Sequence, residues 1–279
     1  MSTGNYSPPI LFAGRDLDEP ITFSILGGEV VLFTHASPTP SHDNEDAVGV
    51  FDWKGETEVL VVADGLGGLP RGGDASQQMV ESLSNPKIVE SADPVVACLN
   101  SVNESLVSGH SGSGTTVSVV TIECQGIRSY HVGDSATMVI GRRGRIKFQT
   151  TPHSPVGIAE ANGQLDEIAA MIHPNRHVIN NIIGMPDMWI DIGRPTQLAE
   201  LDTVILASDG LWDNLYRDEV AGLVGNRSLM TAANGILGLA TDRMKRKPGS
   251  EFGKPDDLSF ILYRPRRRST STTIKLDGN

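Results

Sequence analysis

Hydrophobic residues in this chain of 279 residues come mainly in short runs that are rich in β-branched side chains. The runs Val59–Ala63 and Val204–Ala207 are too short for buried helices and are typical of buried strands. Gly126 separates two such segments, and Arg142-Arg143-Gly144 predicts a hairpin turn between two more. Strands are predicted at 21–26, 30–35, 47–53, 58–63, 115–123, 127–132, 136–141, 145–150, 203–208 and 258–263.

Apolar residues at helical spacing lie between the blocks of strands. Val95, Leu99, Val102 and Leu106 fall on one face of a helix, which predicts that this face is buried. Helices are predicted at about 74–84, 93–108, 217–224 and 228–245. They come in pairs between blocks of consecutive strands, and this order favours an α+β layered sandwich of antiparallel sheets over a doubly wound parallel sheet.

The same pattern predicts one domain with irregular ends. Residues 1–20 contain several prolines and no clear period, so we expect an irregular lead-in to a domain at 21–264. Residues 152–181 are polar and broken by Pro and Gly, which predicts a surface excursion of the kind that often serves as a functional lid. The basic and hydroxyl-rich residues 265–279 are expected to form a disordered tail.

Composition narrows the class of protein. Hydrophobic residues make up 39% and charged residues 20%, which is ordinary for a soluble globular chain. The net charge of -11 argues against nucleic-acid binding, which needs a basic face. Cys98 and Cys124 form neither a disulfide framework nor a zinc motif. No apolar run approaches the roughly 18 residues of a membrane span, so we expect a cytoplasmic monomer with no membrane partner.

Short acidic motifs at the edges of the apolar runs carry the candidate chemistry. Asp64 and Asp209 each follow a predicted buried strand, where an ionised carboxylate needs an opposite charge or a metal ion. No matching set of lysines or arginines adjoins the motifs in sequence. Mg²⁺ and Mn²⁺ prefer oxygen ligands, and the carbonyl of Gly65 can turn toward an ion at little steric cost. The motifs therefore predict a site for hard divalent cations.

Six stretches carry a joint pattern: Asn44–Ala47, Val61–Gly68, Gly112–Thr116, His131–Ser135, Leu206–Asp213 and Asp256–Ser259. Taken together, they resemble the metal-dependent protein serine/threonine phosphatases of the 2C type, in their bacterial form. The resemblance extends from about residue 20 to residue 264 in family order. It implies a four-layer αββα sandwich of two antiparallel β-sheets flanked by helices.

The resemblance also implies a set of metal ligands. Asp64 would bridge two ions, Gly65 would offer its carbonyl, and the remaining residues would complete the two coordination shells, some of them through water. The ligands implied for the two Mg²⁺ or Mn²⁺ ions are Glu45, Asp46, Asp64, Gly65, Asp209 and Asp256. Asp134 and Asp213 match positions that bind a weaker third ion in family members, although Asp213 is equally well explained as a helix N-cap after Trp212.

Two departures from the family affect the substrate side of the site. Many members carry an arginine that clamps the phosphate four residues before Glu45, and here that position is Ser41. His42 is the nearest candidate for phosphate binding, with Arg15 and Arg71 as alternatives. Leu66 stands where animal-type members have a histidine proposed as general acid, so the resemblance leaves leaving-group protonation to metal-bound water.

These features predict hydrolysis of phosphoserine and phosphothreonine in proteins by direct attack of a metal-bridging water. Phosphorylated proteins and a cognate serine/threonine kinase are the implied partners, and the basic cluster before Ser269–Thr273 is a candidate target of such a kinase, although a solvated tail is the plainer interpretation. Two alternatives stay open: a catalytically weak regulatory module, and a phosphatase of a small phosphorylated metabolite.

Overall fold

The computed structural model describes most of the chain, and the statements below refer to that part. The described residues are 9–25, 27–39, 43–66, 71–84, 91–109, 112–124, 126–225, 227–246 and 253–266. Ser41, His42 and the hydroxyl-rich segment Ser269–Thr273 lie outside them.

Twelve strands form two antiparallel sheets of six strands each. The first sheet contains, in spatial order, β1 (Ile10–Ala13), β4 (Asp46–Trp53), β5 (Thr57–Asp64), β6 (Val117–Glu123), β7 (Gly126–Val132) and β10 (Asp191–Ile192). The second contains β2 (Ile21–Ile25), β3 (Gly28–His35), β12 (Leu258–Pro265), β11 (Thr203–Ala207), β8 (Ala136–Ile140) and β9 (Ile146–Gln149).

The two sheets pack face to face through alternate residues of their strands. On β5, Leu60 and Val62 point into the core between the sheets, where Leu206 and Ile261 of the second sheet meet them. Val61, between them on the same strand, faces the helices that cover the first sheet. Since both faces of the strand are buried, its sequence is a continuous apolar run and not an alternating one.

Helices cover both outer faces. The helices α1 (Gly72–Leu83) and α2 (Pro94–Ser108) pack on the first sheet, and α6 (Arg217–Val224) and α7 (Leu229–Met244) pack on the second. Asp93 starts α2, because its side chain accepts a hydrogen bond from the backbone N–H of Val96. The arrangement is the predicted four-layer α+β sandwich. The shorter helices are α3 (Pro155–Ala161), α4 (Glu167–Met171) and α5 (Asp209–Trp212).

The prediction of an irregular lead-in was wrong, and the excursion at 152–181 contains more regular structure than its sequence indicated. The lead-in contains β1, which pairs with β4 from Ile10 to Ala13, so the folded unit begins before residue 21. Four apolar residues between proline and glycine gave too short a pattern to indicate a strand. The excursion at 152–181 contains α3 and α4, whose starts are capped by Ser154 and Asp166. Helices of seven and five residues are too short to show a helical period in the sequence.

Other details agree with the sequence-based expectations. Arg142–Gly144 forms a tight 3₁₀ turn between β8 and β9, as the hairpin prediction requires. The predicted strand at 115–123 begins two residues later, because Thr115 makes isolated bridges to Gly65 and Ile183. Among the described residues, no helix is both long and apolar enough to cross a membrane.

Replacing Leu60 by alanine tests the core between the sheets. Leu60 is fully buried there, and we expect the cavity left by Leu60→Ala to lower the free energy of unfolding by about 2–5 kcal/mol. Urea denaturation followed by circular dichroism measures the change. Ile172→Ala is the matched control, because Ile172 is 58% exposed and its truncation should change stability by no more than about 0.5 kcal/mol. Equal losses in the two variants would contradict the assignment of the core.

Candidate metal centre

The acidic motifs converge at one end of the sandwich because the strand registers bring them there. Asp46 begins β4 and Asp64 ends β5, and the antiparallel register places these two residues opposite each other. In the second sheet, β11 lies between β12 and β8. Asp209 after β11, Asp256 before β12 and Asp134 before β8 therefore reach the same edge. Both sheets contribute carboxylates to a single cluster.

Asp46 and Asp64 form the buried half of this cluster. Asp46 accepts a hydrogen bond from the Ser208 hydroxyl at 2.9 Å on Oδ2, while its buried Oδ1 has no hydrogen-bond partner in the described part of the chain. Burial, and next the negative charge of Asp257, raises the pKa of Asp46 well above its usual range. Burial, followed by the charges of Asp46 and Asp209, does the same to the pKa of Asp64. Ionising both groups requires a compensating cation.

The other carboxylates of the cluster, those of Asp134, Asp213 and Asp256, also have raised pKa values and would need a cation to ionise. Burial, and next the charge of Asp209, raises the pKa of Asp134 to about 8 and that of Asp256 to about 7. Oδ1 of Asp134 is buried and has no hydrogen-bond partner among the described residues. Burial also raises the pKa of Asp213, against the lowering effect of Lys254. Clustered carboxylate oxygens with unpartnered buried atoms fit the ligand preference of Mg²⁺ and Mn²⁺.

Lys254 is the residue that the motif analysis missed. Its ammonium lies 2.5 Å from Oδ2 of Asp209, 2.8 Å from Oδ2 of Asp256 and 3.0 Å from Oδ2 of Asp213. The expectation named no basic residue for the cluster; one lysine does lie in it, although a single lysine does not match the number of carboxylates. The signal was present in the sequence, since Lys254 stands two residues before Asp256.

The residues beside the acidic positions hold the cluster in place. Asn44 uses Oδ1 to accept the backbone N–H of Asp46 at 3.0 Å, and its amide group donates to the Thr34 hydroxyl at 3.0 Å. The carbonyl of Asp64 accepts two hydrogen bonds: one from the backbone N–H of Thr116 at 2.9 Å and one from the hydroxyl of Thr115 at 2.8 Å. The motifs Asn44–Ala47 and Gly112–Thr116 thus contain positioning residues as well as candidate ligands.

Gly65 has a packing reason to be glycine. A Cβ at this position would lie 2.4 Å from the carbonyl of Gly72 and 2.7 Å from that of Glu45, which is too close for any side chain. The N–H of Gly65 donates to the Glu45 carbonyl at 3.1 Å, and Ser76 donates its hydroxyl to the same carbonyl at 2.5 Å. The start of α1 and the loop before β4 therefore pack closely on Asp64-Gly65 and are held there by these hydrogen bonds.

Asp257 acts as a structural neighbour of the cluster. Its Oδ1 accepts the backbone N–H of Ser37 and its Oδ2 accepts that of Glu45, both at 2.7 Å. The carboxylate thereby joins the start of β12 to the segment that presents Glu45 and Asp46. Asp213 ends α5 and faces Lys254, and the N-cap position of the next helix, α6, is Tyr216. The helix N-cap interpretation of Asp213 is therefore wrong.

The excursion at 152–181 borders the cluster. Its helices α3 and α4 line a cavity of about 90 Å³ together with Asp134, Asp209 and Asp213. Arg217 anchors both helices, because its guanidinium contacts Glu160 of α3 and Glu167 of α4. This placement agrees with the expectation of a flap beside the site.

The candidates for phosphate binding are only partly placed. His42 and Ser41 lie outside the described residues. Arg71 is exposed and forms an ion pair with Asp74 of its own helix. Arg15 follows β1, and its backbone carbonyl accepts a hydrogen bond from the side chain of Asn44 at 3.1 Å; this contact does not involve its guanidinium.

A second polar cluster lies behind the site. The rings of His131 and His153 are 4.3 Å apart, and Nε2 of His153 lies 3.2 Å from Asp191. Burial, and next the charge of His153, lowers the pKa of His131 to about 4. Nδ1 of His153 accepts the N–H of Gly133 at 3.1 Å, while Nε2 is buried without a hydrogen-bond partner among the described residues. The cluster ties the start of the flap to the loop that holds Asp134.

Known proteins share this arrangement. The sequence profile of the protein phosphatase 2C family matches residues 40–235. Protein phosphatase PhpP of Streptococcus pneumoniae is 28% identical over 214 residues, which are 70% of this chain and 84% of that protein. The solved serine/threonine phosphatase of S. agalactiae has a TM-score of 0.71 at 26% identity, covering 85% of this chain and 99% of its own. The catalytic domain of serine threonine protein phosphatase PstP, solved with two manganese ions, shares the fold with a TM-score of 0.65 at 19% identity, over 85% of this chain and 98% of its own.

Two face-to-face antiparallel sheets with a carboxylate cluster at one end define a class of metal-dependent hydrolase scaffold. The family profile covers well over half of the chain, and the chain belongs to the protein phosphatase 2C family. The resemblance drawn from the acidic motifs, and the fold that it implied, are thereby confirmed.

The protonation of the cluster predicts how the stability of the metal-free protein depends on pH. Asp134 and Asp256 have pKa values of about 8 and about 7 in the folded chain, against an ordinary 3.8. The folded state therefore binds more protons than the unfolded state between about pH 4 and pH 8, and its stability falls as pH rises through this interval. Urea denaturation in EDTA at several pH values measures the slope. Asp134→Asn should flatten the profile, and a stability that rose from pH 6 to pH 8 would contradict the assignment.

The role of Asp257 predicts a stability loss for its amide variant. In Asp257→Asn one of the two backbone N–H groups of Ser37 and Glu45 would face a donor, so we expect the free energy of unfolding to fall by about 1–3 kcal/mol. Thermal and urea denaturation in EDTA measure this loss in the absence of bound metal. Asp52→Asn is the control, since exposed Asp52 accepts one turn hydrogen bond only, from Gly55. An Asp257→Asn variant as stable as that control would refute the positioning role.

Proposed function

We propose that this chain is a metal-dependent phosphatase that hydrolyses phosphoserine and phosphothreonine in proteins. The observation that carries the proposal is the convergence of carboxylates from both sheets at one edge, with raised pKa values and unpartnered buried oxygens. Membership of the protein phosphatase 2C family supports the reaction class. The named activities of the similar proteins support the substrate class.

The metal assignment is part of the proposal. Two ions are assigned to one ligand set, with Mn²⁺ or Mg²⁺ as the metal, and the relative solved with two manganese ions supports this choice. When bound, such an ion pair supplies an activated water and neutralises charge on the phosphoryl group. The proposed ligands are Glu45, Asp46, Asp64, Gly65, Asp209 and Asp256.

The chain's own residues have the complementary tasks of positioning and exclusion. The hydrogen bonds from Asn44 and Thr115 fix the backbone on either side of the Asp46–Asp64 pair, so the carboxylates are preorganised. Leu66 offers no proton, and the described residues of the cluster include no histidine, so no side chain of the described part is assigned as the general acid. Arg176 lines the cavity together with Asp134, Asp209 and Asp213, which supports a role for its guanidinium in holding a substrate phosphate; the contact of Arg15 is made by its backbone carbonyl.

The flap favours a protein as substrate over a small metabolite. Three apolar side chains of the flap are strongly exposed, namely Ile158 (43%) on α3, Ile168 (57%) on α4 and Ile172 (58%) directly after α4. They do not line the cavity themselves, but they directly follow Gly157, Glu167 and Met171 in the chain, which line it together with Asp134 and Asp213. An exposed apolar patch next to a polar cleft is typical of a surface that contacts another macromolecule. A small phosphomonoester would leave this surface unused.

A cognate serine/threonine kinase and a cytoplasmic location complete the proposal. A phosphoprotein phosphatase acts on the product of a kinase, so both enzymes must reach the same substrates. Neither Cys98 nor Cys124 forms a disulfide in the described part of the chain, which supports a reducing compartment.

Asp64→Asn tests the proposed function. We expect it to lower Mn²⁺-dependent hydrolysis of a phosphothreonine peptide by at least about 10²-fold, because one ligand oxygen and one negative charge are lost between the ions. The fold should persist, since burial raises the pKa of Asp64 well above its usual range and so favours an uncharged group at this position, as asparagine is. Asp242→Asn, an exposed position on α7, is the matched control with unchanged activity. Near wild-type turnover in Asp64→Asn would overturn the metal assignment.

The same assay separates the alternatives. Comparing kcat/KM for the phosphopeptide and for p-nitrophenyl phosphate, each with Mn²⁺ and with EDTA, distinguishes three outcomes. A preference for the peptide supports the proposal, a preference for small phosphomonoesters supports the metabolite phosphatase, and no Mn²⁺-dependent turnover supports the regulatory module.

A further inference from the structure

Lys254 is placed in the carboxylate cluster by a dedicated set of backbone hydrogen bonds. The buried amide of Asn214 accepts the backbone N–H of Lys254 at 3.0 Å and donates to its carbonyl at 2.9 Å. The same side chain also donates to the carbonyl of Gly210 at 2.9 Å. Since Asn214 directly follows Asp213, one residue fixes Lys254 relative to the segment that carries two of the carboxylates.

The ammonium group of Lys254 has one carboxylate partner for each of its N–H donors. It has three N–H bonds, and it contacts one oxygen each of Asp209, Asp256 and Asp213, at 2.5, 2.8 and 3.0 Å. The lysine side chain is only 26% exposed, so this is not a solvated surface pair. Burial disfavours the charged form, but the three carboxylates outweigh it and raise the pKa of Lys254 above its ordinary value. The group is a permanent cation at neutral pH.

A cation with three carboxylate oxygens at these distances excludes a second one from the same place. A Mg²⁺ or Mn²⁺ ion needs oxygen ligands at about 2.0–2.2 Å and retains several waters. The space between these three oxygens is filled by the ammonium nitrogen. All three contacts use Oδ2, while Asp46 and Asp64 make no ion pair with Lys254. The rest of the cluster thus keeps carboxylate oxygens for the catalytic ions.

We propose that the ammonium group of Lys254 takes the place of one metal ion among Asp209, Asp213 and Asp256, so that the chain binds one divalent ion fewer than its carboxylates would otherwise hold. The inference rests on the proposed function, and it concerns the third ion expected beside Asp213; Lys254 contacts only Oδ2 of Asp209 and Asp256, so the other oxygen of each carboxylate is left for the two catalytic ions. Asp213 then serves to hold the lysine, and the built-in cation does not depend on the free metal concentration.

Lys254→Met tests the inference by counting ions. Methionine has nearly the shape of lysine without the charge, and we expect the variant to bind one Mn²⁺ more than the wild type. The count comes from equilibrium dialysis at saturating Mn²⁺ with elemental analysis. Lys147→Met is the matched control, because Lys147 also pairs with a buried aspartate, Asp202, at 2.7 Å, but at the opposite end of β11. It should bind as many ions as the wild type.

Thermal denaturation gives a second readout that does not depend on activity. In EDTA, Lys254→Met should melt below the wild type, because three carboxylates lose their cation. Saturating Mn²⁺ should raise the melting temperature of Lys254→Met by more than it raises that of the wild type. Equal Mn²⁺ shifts in the two proteins would overturn the inference.

Asp213→Asn keeps the inference testable if Lys254→Met does not fold. In the wild-type background this substitution should leave the Mn²⁺ count unchanged, because Asp213 is bound to a lysine and not to an ion. In the Lys254→Met background it should remove the additional ion. Loss of an ion from the wild type on Asp213→Asn, or equal counts in folded wild type and Lys254→Met, would refute the inference while the proposed function stands. A wild type that bound no Mn²⁺ would instead overturn the proposed function, and the inference with it.

Discussion

Mutual repulsion among carboxylates buried at one edge of the sandwich is the constraint on which the site depends. Asp46 and Asp64 face each other across adjacent strands, and Asp134, Asp209 and Asp256 approach from the other sheet. Ionised carboxylates this close repel one another unless cations are present. The pKa values of Asp64, Asp134 and Asp256 are therefore raised, which means that these groups bind protons more readily than usual. The geometry is kept because the two sheets, stabilised by a large apolar core, do not allow the carboxylates to move apart.

A network of neutral polar groups makes this geometry rigid. Ser208 bonds Asp46 and also accepts the N–H of Ser259, which in turn donates its hydroxyl to Thr34. Asp257 bonds the backbone of the loop before β4. The contacts of Ser208 with Asp46 and of Asp257 with Glu45 cross between the sheets, and those of Ser259 lie within the second sheet, so displacement of one strand end would break hydrogen bonds to its neighbours. Preorganisation of this kind lets a site bind ions without reorganising its ligands.

The sequence was sufficient for the fold class and for most carboxylates, because both follow from local patterns. A continuous apolar run ending in an acid, such as the one before Asp64, predicts both a buried strand and a charge at its tip. Strand β1 and helices α3 and α4 were missed because short elements form through pairing and packing that no local period reveals. The partners of Asp257 are 220 and 212 residues away in sequence, so its role could not be predicted from its neighbours.

The role of Lys254 could not be predicted from its sequence neighbours either. In sequence it is one basic residue beside a motif, and the natural interpretation is a solvated side chain. Its meaning depends on Asn214, 40 residues earlier, and on two aspartates from the same helical turn. The lysine sits where the flap cavity meets the cluster, since Asp209 and Asp213 belong to both. The ammonium of Lys254 compensates the carboxylates that lie next to the flap. Asp46 and Asp64 make no ion pair with it, so their charge has to be compensated by added cations. The two halves of the cluster thus meet the same electrostatic demand by different means.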